Sequence, residues 1–191
     1  SNGEYGILNV EENTIAIPGE HTTAHLLFSL AYPNVTNKEF LVFNEIENAV
    51  LNSEVDAGVI IHENRFTYQD KGLQKIIDLG AYWEETIKVP IPLGGIVMKR
   101  SIDNSVQQKI NSLIRKSVAY AFDHYPELAD YVREHSQEMS EPVMRQHIDL
   151  YVNNYSVDLG ENGKSAVIKL LDVFEQLNAS IPINKSSVFI D

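Results

Sequence analysis

Cysteine is absent from the 191 residues, which removes disulfide bridges, zinc–thiolate sites and a thiol nucleophile from consideration. Basic residues are scarce: 15 Lys and Arg stand against 27 Asp and Glu, a formal charge of −12. Affinity for a phosphate backbone rests on clustered lysine and arginine, and with no basic stripe visible nucleic acid is not expected as a partner. Acidity of this degree reports solubility rather than a substrate, so an anionic ligand must be held by local donors against the global field. Long apolar runs are missing too. The longest fall well short of the ~20 residues that span a bilayer, and no basic flank leads into an apolar core at the amino terminus. The expectation is a cytoplasmic globular protein with no membrane contact, in which a sequon such as Asn34-Val35-Thr36 has no meaning. No glycine-rich phosphate loop of the P-loop or dinucleotide type occurs, so nucleotide-cofactor chemistry has no support. Internal repeats and low-complexity segments are also absent.

What is present is an alternation of strands and helices in the first half and an almost wholly helical second half, with the switch near Arg100. Thr14-Ile15-Ala16-Ile17 predicts a short strand that Pro18-Gly19 ends, and residues 21–32 then carry apolar side chains at helical spacing through Ala24, Leu27, Phe28 and Ala31. Phe40-Leu41-Val42-Phe43 predicts the next strand, residues 45–52 a short helix, residues 58–61 a third strand, residues 72–77 a helix pattern and residues 95–99 another strand. Ser101 is read as a cap for a long amphipathic helix over residues 105–122, whose apolar face runs from Val106 to Phe122. Pro126 suits the first turn of a further helix through Leu128, Tyr131 and Val132, and Pro142 the first turn of one through Met144, His147, Ile148 and Tyr151. Gly160 and Gly163 punctuate the chain before a last helix over residues 164–177. The fold class expected is therefore α/β, a βα lobe followed by carboxy-terminal helices. Residues 1–13 form a lead-in that opens on the tag-like Ser1-Asn2, residues 14–97 an α/β lobe, and residues 98–191 a hinge and helical region.

The chemistry concentrates where strands end. Val59-Ile60-Ile61 is the short apolar run of a strand covered on both faces, and it delivers His62 to the carboxyl end, where open α/β sheets bind ligands. Ala57-Gly58 leaves room for something to approach the backbone. A lone histidine in this place is more often a hydrogen-bonded structural residue, but imidazole is the side chain best suited to proton transfer near neutral pH. Glu63 points to the opposite strand face and is left out of the site. Thr22-Thr23 lies where a strand hands over to a helix. One threonine there caps the helix while the other faces solvent, or else both hydroxyls join the free amides in an anion site.

Other candidates are weaker. His21 and His25 share a helix face at metal-ligand spacing, but Thr22 stands where a zinc hydrolase of the H-E-x-x-H kind needs glutamate, and no third ligand is evident; no metal is expected. Asp158-Leu159-Gly160-Glu161-Asn162-Gly163 resembles a calcium loop and fails at Gly160 and Lys169. Trp83, with Tyr82 and Phe66, is read as packing. His147 sits on a helix explained equally well by packing.

Several segments, in order and spacing, carry a resemblance. They are Ile17-Pro18-Gly19 with Thr22-Thr23-Ala24, Val59-Ile60-Ile61-His62-Glu63, Pro92-Leu93-Gly94-Gly95, Met144-Arg145-Gln146-His147-Ile148-Asp149-Leu150-Tyr151-Val152-Asn153, and Tyr155-Ser156-Val157-Asp158-Leu159-Gly160. Together they resemble the 1,4-dihydroxy-6-naphthoate synthase family, built on a type 2 periplasmic-binding-protein-like fold. The resemblance implies a lyase of menaquinone biosynthesis in bacteria, which converts cyclic dehypoxanthine futalosine to 1,4-dihydroxy-6-naphthoate without a metal or organic cofactor. By that likeness His62 takes the base role and Thr22 and Thr23 hold the substrate's oxygen groups. Family members begin with a further segment that builds most of the first lobe and contributes to the cleft, and it has no counterpart here. The first lobe is then expected to be incomplete, the chain alone nearly inactive, and a homodimer possible through uncovered apolar helix faces. Two alternatives share the architecture: a non-catalytic protein that binds a small organic anion, and chorismate dehydratase. A binding protein has no need of a titratable base such as His62, and the segments around residues 58–63 and 144–160 favour the naphthoate synthase over the dehydratase.

Overall fold

The computed structural model describes residues 10–62, 64–136, 140–186 and 188–190. Two compact units divide the chain, Ser1–Thr86 and Ile87–Asp191. In the first, strand β1 (Ile15–Ile17) lies between β2 (Lys38–Phe40) and β3 (Ala57–Gly58), all parallel, in the order β2-β1-β3. Parallel neighbours need crossover connections. Helix α1 (Thr23–Ala31) supplies one between β1 and β2, and α2 (Ile46–Leu51) the other between β2 and β3.

Side chains alternate across a strand, and β1 uses both faces. Ile15 and Ile17 pack with Phe28 of α1 and with Val35, whereas Ala16 packs with Ile46 and Ala49 of α2 and with Val55. The two small residues on the α2 side let that helix come close. A Cβ added to Gly58 would run into the Ile46 side chain. The room left at Ala57-Gly58 is thus filled by α2 from within the fold, and not by an incoming ligand.

Strand boundaries differ from the sequence reading in a consistent way. Pairing in β2 falls on Lys38–Phe40 rather than residues 40–43. Leu41 N still donates to Ile17 O at 3.0 Å, but Val42 N turns to Glu45 Oε2 as α2 begins. β3 is confined to Ala57–Gly58 rather than residues 58–61, and Val59 N to Ala16 O, 2.9 Å, is its last ladder bond. Val59, Ile60 and Ile61 are half-buried instead of enclosed. The cause is β1 itself, which stops before Pro18 and leaves the longer apolar runs beside it nothing to pair with.

After β3 come α3 (Asn64–Thr67) and a 3-10 turn (Tyr68–Lys71). The helix expected over residues 72–77 does not form. Gly72, at φ 81, ends the turn with its amide on the Gln69 and Tyr68 carbonyls, a left-handed stop that glycine tolerates. Helix α4 (Leu79–Ile87) follows, with Asp78 Oδ1 accepting from the Gly80 and Ala81 amides, and its Trp83 is fully buried.

The second unit is helical: α5 (Asn104–His124), α6 (Asp130–His135), α7 (Glu141–Tyr151), α8 (Asn154–Val157) and α9 (Gly160–Leu177). Residues 95–99 are not a strand; Ile96 and Val97 are exposed, and among the described residues no strand lies beside them to accept pairing. The α5 cap is Asp103, accepting from Ser105 N at 2.8 Å, and not Ser101. α6 begins at Asp130 instead of Pro126, because α5 ends at an extended Tyr125, a turn closed by Glu127 N on His124 O at 3.0 Å follows, and Ala129 is extended again before the helix. Gly160 starts α9 rather than punctuating before it, its amide held by Asp158 Oδ1 at 2.9 Å. Gly163 lies inside that helix because Tyr155 and Leu159 press against it, each 3.1 Å from where a Cβ would stand. The whole is mixed α/β, a small parallel sheet with many helices. No helix among the described residues is long and apolar enough to cross a membrane.

Candidate active site at the strand ends

The order β2-β1-β3 means that the chain adds strands first to one side of β1 and then to the other. The chain leaves β1 through α1 to one side, then returns past it through α2 to the other. Such a switch point opens a crevice at the carboxyl ends of the strands that flank it, here β1 and β3. Thr22-Thr23 follows β1, and His62 follows β3.

At the β1 exit, Gly19 takes φ 97 and its amide returns to Ile17 O at 2.8 Å. This tight reversal aims the chain into α1. Thr22 is the helix cap: its Oγ1 accepts from His25 N at 3.2 Å and donates to Gly19 O at 2.8 Å. Its one hydroxyl hydrogen is therefore committed within the turn. Thr23 opens the helix half-buried, and among the described residues its hydroxyl and the amides of Thr23 and Ala24 meet no hydrogen-bond partner. Free amides at a helix start, with the positive end of the helix dipole behind them, favour a negatively charged oxygen. The donors on offer are two amides and the Thr23 hydroxyl, with Thr22 shaping the loop that presents them.

His25 is taken up elsewhere. Its Nδ1 lies 2.7 Å from Glu20 O, which makes that nitrogen the donor, and Nε2 is left to accept from Lys38 Nζ at 3.2 Å. Lys38 also donates to Ser29 Oγ at 2.9 Å, and partial burial lowers its pKa from the usual lysine value. The His21/His25 spacing thus does not present two open imidazoles to a metal.

At the β3 exit, His62 stands exposed with φ 58. A non-glycine residue in this region costs about 1–3 kcal/mol and clusters at functional sites. Its ring meets that of Phe43 edge to face, centroids 4.8 Å apart. Phe43, which follows β2, is a further candidate that the apolar run at residues 40–43 assigns to a strand; an aromatic at a parallel strand's carboxyl end is the signal that marks it. Glu63 lies outside the described residues.

His147 lies in the helical unit, edge to face with Tyr151 at 4.5 Å. That unit also carries a depression of about 240 Å³ lined by Lys88, Val89, Pro90, Tyr155, Asn162 and Ser165. It is open and most of its polar lining is exposed, so its chemistry is less defined than that at the strand ends.

Comparison with known proteins bears on the whole chain. A relative from Thermus thermophilus named 1,4-dihydroxy-6-naphtoate synthase is 42% identical over 168 residues, 88% of this chain and 61% of the relative. Another of that name from Streptomyces coelicolor is 44% identical over 163 residues, covering 83% of this chain and 58% of the relative. The chain thus spans about three fifths of the length of these relatives. A crystal structure of a protein from Archaeoglobus fulgidus superposes with a TM-score of 0.82 at 33% identity, covering 90% of this chain and 64% of that one. The profile of the family described as menaquinone biosynthesis matches residues 4–176, from before β1 to the last turn of α9, and the chain is a member of that family.

Proposed function

We propose that this chain carries the base and the oxyanion-holding side of a 1,4-dihydroxy-6-naphthoate synthase, on a lobe of the type 2 periplasmic-binding-protein kind. The substrate is cyclic dehypoxanthine futalosine, and the reaction is a lyase step that releases the sugar-derived fragment and leaves the dihydroxynaphthoate. Such a step takes a proton from carbon or hydroxyl and moves charge into a developing aromatic system. His62 serves as the base, held at the β3 exit in a left-handed backbone conformation. The amides of Thr23 and Ala24, with the Thr23 hydroxyl, hold the substrate's oxygens as negative charge develops. Phe43 backs the imidazole and offers a flat apolar edge to an aromatic ring. The chemistry calls for no metal or organic cofactor.

The observation that carries this reading is the placement of an exposed, left-handed histidine and an open helix start on the two strands that flank the switch point. The name of the relatives, 1,4-dihydroxy-6-naphtoate synthase, supports the proposed product. The test is turnover in the protein as the cell makes it. His62→Asn should lower it by about two to four orders of magnitude with circular dichroism unchanged. Near-normal turnover by a folded His62→Asn protein rules out the base assignment.

A further inference from the structure

We infer that Glu47 is a positioning residue for His62, clamping the segment that follows the imidazole from within the core; the inference rests on His62 being the site's base. α3 and the 3-10 turn place no side chain in the core. Residues 64–71, which carry the chain away from His62, therefore have no fully buried apolar anchor, and Phe66 and Tyr68 are only half-buried. Both ends of the segment meet one carboxylate instead. Glu47, on α2 and 2% exposed, accepts through Oε2 from Asn64 Nδ2 at 2.6 Å and from Lys71 Nζ at 2.5 Å.

The carboxylate is an unusual choice for stability alone. Glu47 Oε1 is buried with no hydrogen-bond partner among the described residues, so desolvation is offset at one oxygen and not at the other. Apolar residues of similar volume commonly serve a core as well as a buried ion pair does. They cannot fix two points seven residues apart, Asn64 and Lys71, in direction as well as distance. The clamp also continues downstream. Arg65 N meets His62 O at 3.4 Å, and the Arg65 guanidinium reaches Asp78, whose other oxygen caps α4. His62 thus leaves β3 into a segment held by α2 on one side and by the start of α4 on the other. A left-handed non-glycine residue persists where its surroundings over-determine it in this way.

The test reads the imidazole itself, so it stands apart from turnover. The Phe43 ring shifts the His62 Hε1 resonance, which is assigned by its loss in His62→Asn. In Glu47→Ala that resonance should move at least halfway to the position of free histidine while the β1 amide shifts stay in place. Asn64→Ala removes the donor nearest His62 in sequence and leaves the Glu47–Lys71 pair in place, so it decides the matter if Glu47→Ala does not fold. It should move the resonance in the same direction. In the protein as the cell makes it, Asn64→Ala should lower kcat about ten- to hundredfold with KM little changed. An unmoved His62 resonance in folded Asn64→Ala overturns the clamp. Intact turnover in His62→Asn would instead remove the base reading and leave the clamp to be judged by the resonance alone.

Discussion

A single threonine at the start of α1 is asked to do structural work that the sequence leaves open. Thr22 Oγ1 both accepts from His25 N and donates to Gly19 O, so it closes the turn and caps the helix at once. Thr22→Ala should therefore destabilise the fold by about 1 kcal/mol, and Thr22→Ser, which keeps both bonds, by much less. Urea denaturation measures the difference, and equal stability for the two variants would show that the cap contributes nothing. His62 and the threonine pair stand out as candidates in the sequence because each sits where a periodic pattern stops, the one after an apolar run and the other before a helix. Glu47 was not. Beside Ile46 and before Ala49 it reads as the solvent face of a short helix, and its burial follows from Asn64 and Lys71, 17 and 24 residues away. Phe43 was visible as an aromatic but was assigned to a strand that ends three residues earlier.

Helices with strong caps and wide apolar stripes were legible to within a few residues, because their signals are local. The strands were placed in order but not in extent. Apolar runs at residues 40–43 and 58–61 say that a segment is buried, whereas pairing depends on the neighbour, and β1 offers three residues. The same reasoning explains residues 95–99, a strand by composition with no strand beside it.

In the helical unit, charge rather than apolar area ties several elements. Glu141 is held below the usual carboxylate range by the guanidinium of Arg145 and then of Arg133. Asp158 is lowered by the Gly160 amide and Arg115, and Asp172 and Glu175 by Lys185. A carboxylate whose pKa is lower folded than unfolded adds stability that is present above its unfolded value and lost as pH falls through its folded one. Each pair is open to solvent at least in part and worth little alone. The melting temperature should therefore stay level from neutral pH to about pH 5 and fall progressively below about pH 4. A melting temperature that holds level through that lower range would show that these pairs add nothing.

At the scale of the whole molecule, the formal charge of −12 repels an anionic ligand, so attraction must be local. The strand ends supply it through free amides at a helix start. The family's match over residues 4–176 spans both units, yet the chemistry proposed here belongs to the first, where three strand ends meet. In the function proposed, these ends form the pocket for the naphthoate skeleton. Titration of the isotope-labelled chain with 1,4-dihydroxy-6-naphthoate, up to about 5 mM to capture weak binding, tests it by amide chemical shifts. Saturable changes are expected to concentrate at residues 19–25, at Phe43 and at residues 58–65. Changes confined to α5 through α9, or none at all over that range, would contradict that pocket.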